Sequence, residues 1–86
     1  MDVAAIVTAI LARQAVRDPA TLRPGMRLDD LGIDSLGRVE VVFAIEEQFD
    51  LSVPFNANTP DAGGFDLTSV GSVIAAVEAL LGEGRG

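Results

Sequence analysis

The chain has 86 residues and is 49% hydrophobic, which suits one compact domain burying roughly 60–65% of its unfolded surface. It contains no cysteine and no histidine, so disulfides, thiolate nucleophiles and the usual zinc ligand sets are excluded. Thirteen acids face six bases, all arginine, for a net charge of -7; such a surface repels nucleic acid and anionic membranes and draws partners with basic patches.

No apolar run approaches about 18 residues, and Met1-Asp2 opens with an acid where a signal peptide needs bases, so a soluble cytoplasmic protein is expected. The first element is "DVAAIVTAILARQAV", in which Val3, Ile6 or Val7, Ile10 and Leu11 recur at helical intervals among alanines. Asp2 sits at the positive end of the dipole, and Asp18-Pro19 ends the run, giving a helix over about 3–16. The connection "RDPATLRPGMRLDDLGID" holds two prolines and two glycines and cannot form a long regular element. Leu22, Met26, Leu28, Leu31 and Ile33 are too many apolar residues for a solvated linker, so the loop should lie across the helices, pinned by them.

A second helix is expected from Ser35 to Phe49, with two apolar stripes. Val41, Val42, Ile45 and Phe49 form a charge-free face for the core. Leu36, Val39 and Phe43 form another, bordered by Glu40, Glu46 and Glu47; it could pack under the preceding loop or meet a partner. "DLSVPF" reads as an exit turn in which Leu51 and Val53 close the core, and "NANTPDAGGFD" is polar and Gly-rich, with at most a short turn of helix. The last helix begins at Thr68 or Ser69, buries a face built from Val70, Val73, Ile74, Val77, Leu80 and Leu81, and stops at Gly82. The expected fold is all-α: a small bundle of three main helices with room for a short extra helix, as a single domain over 1–82 and a flexible tail over 83–86.

Ser35, between Asp34 and Leu36, is either the cap of the second helix or a group the helix presents. Serine and aspartate both cap well, at about 1 kcal/mol over alanine. Neither completes a capping box, because the third helical position is Arg38 counted from Ser35 and Gly37 counted from Asp34. Arg38 also stands at the end of the dipole that favours acids. Open donors and a nearby cation suit an anion bonded at Ser35. A catalytic role for this serine lacks a base, since there is no histidine, no lysine and no G-x-S-x-G elbow. Asp29, Asp30 and Asp34 lie close in sequence but do not follow the calcium-loop pattern, and no P-loop or G-x-G-x-x-G occurs. At most a loosely bound divalent cation with a structural role is expected at these acids, and no nucleotide site.

The stretch "LDDLGIDSLGRVEVVFAIEEQFDLSVP" resembles the signature of acyl carrier proteins, in which D-S-L opens the second helix. The D-P after the first helix, D-L-G-x-D-S-L, V-E-V-V, E-E-x-F, S-V-P and the T-S-V-G start of the last helix all fall in order, so the likeness spans nearly the whole domain. The resemblance implies that Ser35 receives a 4′-phosphopantetheine arm from coenzyme A, through a phosphopantetheinyl transferase that uses magnesium. The thiol of the arm would carry acyl groups as thioesters, so the missing cysteine is no obstacle and the chain is not itself an enzyme. It further implies cofactor-site roles for Ser35, Asp34 and Leu36. The implied partner-facing residues are Leu36, Val39, Glu40, Phe43, Glu46 and Glu47, facing acyl-transferring, condensing or modifying enzymes with basic patches. A bound acyl chain would fold back against Val42, Ile45 and Val70 of a monomeric, acyl-carrier-like helical bundle.

Three departures stand out. Gly37 replaces the acid often found after D-S-L, Arg38 adds a positive charge to the first turn, and the segment 56–66 is longer and richer in glycine than usual. L-G-I-D-S-L points to fatty-acid or polyketide carriers over peptidyl carriers, which usually show L-G-G-x-S. The rival reading is an acidic helical interaction module that keeps this fold and is never modified.

Overall fold

The computed structural model describes residues 2–53 and 66–84, with the side chains of 83 and 84 left aside. The expected short helix within 56–65 lies outside the described residues. Among these, the backbone forms three α-helices and one 3-10 turn: α1 Val3–Ala15, the turn Pro19–Thr21, α2 Ser35–Phe49 and α3 Val70–Gly84.

Helix α1 begins where the Asp2 carboxylate accepts the Ala5 N–H at 3.1 Å. It ends at Ala15, one residue earlier than the sequence pattern suggests and before the Asp18-Pro19 pair acts. Val16 takes a left-handed conformation (φ 58°, ψ 51°), and its N–H reaches back to the carbonyls of Ala12 and Arg13. A β-branched residue there is strained, and with 90% of its surface exposed Val16 gains no packing in return.

The connection between α1 and α2 behaves as its apolar content requires. Leu22, Leu28, Leu31 and Ile33 are buried, and Met26 packs at the edge of the same core. The loop also organises α3, through contacts that no local sequence pattern announces. The carbonyls of Pro24 and Met26 accept the N–H groups of Gly71 and Val70, each at 2.9 Å, and Leu28 donates to the Thr68 carbonyl at 3.1 Å. A Cβ at position 71 would stand 3.1 Å from the Pro24 oxygen, so glycine is what lets the loop come this close.

The start of α3 is settled by a reciprocal pair. Ser69 Oγ accepts the Ser72 N–H at 3.1 Å, and Ser72 Oγ accepts the Ser69 N–H at 2.8 Å. Ser69 therefore caps a helix beginning at Val70, with a serine in the role usually played by glutamate or glutamine. The far end corrects an expectation: α3 passes through Gly82 to Gly84. Glycine lowers helix propensity by about 1 kcal/mol but ends a helix only where the backbone turns left-handed, and Gly82 does not.

Val7 and Leu11 of α1, Val41, Val42, Ile45 and Phe49 of α2, and Val70, Val73 and Val77 of α3 close the core, capped by Val53 and Leu67. No helix is both long and apolar enough to cross a membrane among the described residues.

Candidate functional site

The entry to α2 separates two roles that the sequence left joined. Asp34 is extended (φ -85°, ψ -171°), and its Oδ1 accepts the Gly37 N–H at 2.8 Å, so Asp34 is the cap. Ser35 is the first helical residue and is exposed. Its hydroxyl is not spent on capping. The helix is held by Asp34, and Ser35 stands on it facing solvent.

Gly37 is buried beneath this turn. A Cβ there would lie 3.0 Å from Ile33 Cγ2, 3.3 Å from the capping Asp34 Oδ1 and 3.4 Å from Gln14 Nε2. The space that an acidic side chain would need is filled by α1 and by the loop. The missing acid is thus coupled to close packing of α1 against the first turn of α2.

Arg38 is not left idle at the dipole's positive end. Its Nη2 donates to Asp29 Oδ1 at 2.5 Å, bridging α2 to the loop nine residues earlier. Only 18% of the arginine side chain is exposed, against 62% for the aspartate. This hydrogen bond first, then the Arg38 charge, hold the Asp29 carboxyl below its ordinary value of 3.8 against the opposing effect of burial, with the Arg27 charge the weakest contribution. Asp29, Asp30 and Asp34 do not converge: Asp29 is paired with Arg38 and Asp34 caps the helix. Among the described residues no cluster of three or more metal-ligating side chains forms.

The outer face of α2 is sharper than its sequence suggests. Leu36 is 68% and Phe43 62% exposed, so neither packs under the loop. With Glu40 and Glu47, both exposed, they make one stripe at spacing 36, 40, 43, 47, apolar and acidic side chains alternating along it. Val39 and Glu46 are half-buried on its flank. Glu46 also has a structural task, its Oε2 accepting the Val53 N–H at 2.8 Å where the chain leaves α2. What sequence reading did not single out is Gln14 and the pairing with Arg38 of Asp29, which it named only among clustered acids. Neither carries a local signal, though an arginine at the acid-favouring end of a helix invites the search for its partner.

Residues 5–77 match the protein family described as phosphopantetheine attachment site. The chain belongs to the acyl carrier protein family. It is 45% identical over 58 residues to an acyl carrier protein of Syntrophobacter fumaroxidans, a match covering 63% of this chain and 72% of that one. It is 44% identical over 55 residues to one of Akkermansia muciniphila, covering 64% and 61%. A Schizosaccharomyces pombe protein provisionally named a mitochondrial acyl carrier protein is 37% identical over 71 residues, covering 81% of this chain and 58% of its own. The matched region thus spans between 58% and 72% of the length of these relatives.

The group this family carries, 4′-phosphopantetheine, fits the first turn of α2. A phosphodiester needs an accessible hydroxyl that the fold can spare, and Ser35 offers one because Asp34 caps in its place. Leu36 beside it is exposed as well.

Proposed function

We propose that this chain is an acyl carrier protein whose prosthetic arm is attached to Ser35. The observation that carries the reading is the division of labour at α2: Asp34 holds the helix and leaves the neighbouring hydroxyl exposed, within a region that matches a phosphopantetheine attachment family. The arm supplies the thiol that the polypeptide lacks and holds acyl groups as thioesters. The chain itself performs no chemistry; it presents a tethered substrate at high effective concentration to one enzyme after another.

On this reading Leu36 and Phe43 give partner enzymes a small dry contact, while Glu40 and Glu47 steer basic patches toward it. Val39 and Glu46 contribute from the flank, and Asp34 and Leu36 frame the attachment point. The partners are a phosphopantetheinyl transferase and the acyl-transferring, condensing or modifying enzymes of fatty-acid or polyketide synthesis. The carrier works as a monomer in the cytoplasm, although one relative's name places that protein in mitochondria. A long acyl chain folds back between α2 and α3. Val42, Ile45 and Val70 are closed in the core, so loading such a chain should move the amide resonances of both helices.

An unmodified interaction module is the less favoured reading, because it leaves the spared serine unexplained. Trypsin separates the two directly. Cleavage after Arg27 and Arg38 releases Leu28–Arg38, in which Ser35 is the only hydroxyl-bearing residue. After incubation with coenzyme A, magnesium and a transferase, this peptide should carry one phosphopantetheine. An unchanged peptide after treatment with several transferases supports the unmodified module.

A further inference from the structure

We propose that Arg38 is the countercharge of the phosphodiester at Ser35, held in position for it by Asp29. This rests on the attachment of the arm at Ser35 and assigns a positioning role to a residue outside the stripe that partners would read. Ser35 and Arg38 are three residues apart on one helix, so their side chains are neighbours, about 5–6 Å apart at Cβ. Long helical side chains lean toward the N-terminus, and Arg38 does so, reaching Asp29 in the segment that precedes α2. Its guanidinium therefore lies at the same end of the helix as Ser35.

The electrostatics of that end call for a cation. A phosphodiester on Ser35 would be an anion placed beside Asp34, whose carboxylate is fixed on the Gly37 N–H, with Asp29 and Asp30 in the adjoining segment. Arg27 is also close enough to act on Asp29, but Arg38 is the base that shares a helix with Ser35. A guanidinium has five N–H donors in a planar fork suited to phosphate, and Asp29 Oδ1 takes one of them, from Nη2. Arg38 can thus keep its anchor and still donate to a second anion.

The placement of charge along the chain agrees. Residues 13–38 hold five of the six arginines against four acids, whereas the remaining residues hold one arginine and nine acids. The net negative charge of this protein is carried away from the segment that leads into Ser35.

The test uses the full chain loaded with phosphopantetheine from coenzyme A, with loading verified by intact mass. The 31P resonance of the diester is compared in wild type, Arg38→Ala, Arg38→Lys and the charge-removing control Glu78→Gln on α3. The 31P line should shift in Arg38→Ala, return at least partly in Arg38→Lys, and stay in place in the control. In wild type, the Arg38 Nε–Hε resonance should move on loading. A purely structural strap would leave the Arg38 Nε–Hε resonance unmoved on loading. A 31P line identical in wild type and Arg38→Ala, with an unmoved Nε–Hε resonance, overturns the role of Arg38 and leaves attachment at Ser35 standing. Failure of wild type to load with any of several transferases overturns both.

Discussion

Replacing Asp34 and Ser35 separately by alanine tests which of them holds α2. The Asp34 carboxylate accepts the Gly37 N–H at 2.8 Å in a half-buried setting, and losing such a cap costs about 0.5–2 kcal/mol, typically about 1. Ser35 is exposed and outside the cap, so Ser35→Ala should stay within about 0.5 kcal/mol of wild type. In a domain of this size about 1 kcal/mol corresponds to a Tm shift of roughly 4–8 °C. Removing Asp34 also takes one negative charge from a chain of net charge -7, which offsets part of the loss. Asp34→Asn separates the two effects, because asparagine keeps the acceptor and drops the charge. It should remain within a few tenths of a kcal/mol of wild type. Urea unfolding followed by far-ultraviolet circular dichroism reads all three variants. If Ser35→Ala cost as much as Asp34→Ala, the serine would be the cap and the case for its being spared would fall.

Three further outcomes are expected. Val16→Gly should stabilise the protein by about 0.5–1 kcal/mol, since relief of left-handed strain of about 1–2 kcal/mol outweighs the added freedom of the unfolded chain; a loss in thermal unfolding would show that Val16 has packing value. Gly37→Ala should destabilise by about 1 kcal/mol, because crowding against Ile33 Cγ2 at 3.0 Å and the Asp34 carboxylate at 3.3 Å exceeds the gain in helix propensity. A Gly37→Ala variant more stable than wild type in urea would refute that packing argument. The third concerns pH. The carboxyl of Asp29 is held below 3.8 in the folded state, so its stabilising contribution is present above that value and fades as pH falls through the lower folded pKa. Wild type should therefore lead Asp29→Asn in urea midpoint at neutral pH and converge with it in acid; a gap that widens on acidification would contradict the pairing with Arg38.

Much of the fold follows from patterns within single helices. The charge-free stripe Val41, Val42, Ile45 and Phe49 had one place to go, and all four are buried. The five apolar residues of the long connection were likewise bound to pack. Leu36 and Phe43 stood between burial and exposure because a helix wheel shows a face but not what covers it. The cap was ambiguous for a similar reason: Asp34 and Ser35 are equally good acceptors, and the choice is made by backbone geometry at 34 and by packing of Ile33 and Gln14 around Gly37. The Asp29–Arg38 bridge and the grip of Pro24 and Met26 on α3 join residues distant in sequence, and periodicity carries no trace of them. Val16 and Gly82 fail in opposite senses: a valine ends a helix where glycine would be at ease, and a glycine continues one because nothing turns the chain there.

The deciding measurement is intact mass after a phosphopantetheinyl transferase has been given an acyl-coenzyme A, magnesium and either wild type or Ser35→Ala, followed by neutral hydroxylamine. Wild type should gain one acyl-phosphopantetheine unit and lose only the acyl part to hydroxylamine, as a thioester must, while Ser35→Ala gains nothing. No gain by folded wild type with any of several transferases, or an equal gain by Ser35→Ala, would contradict a carrier that works through Ser35.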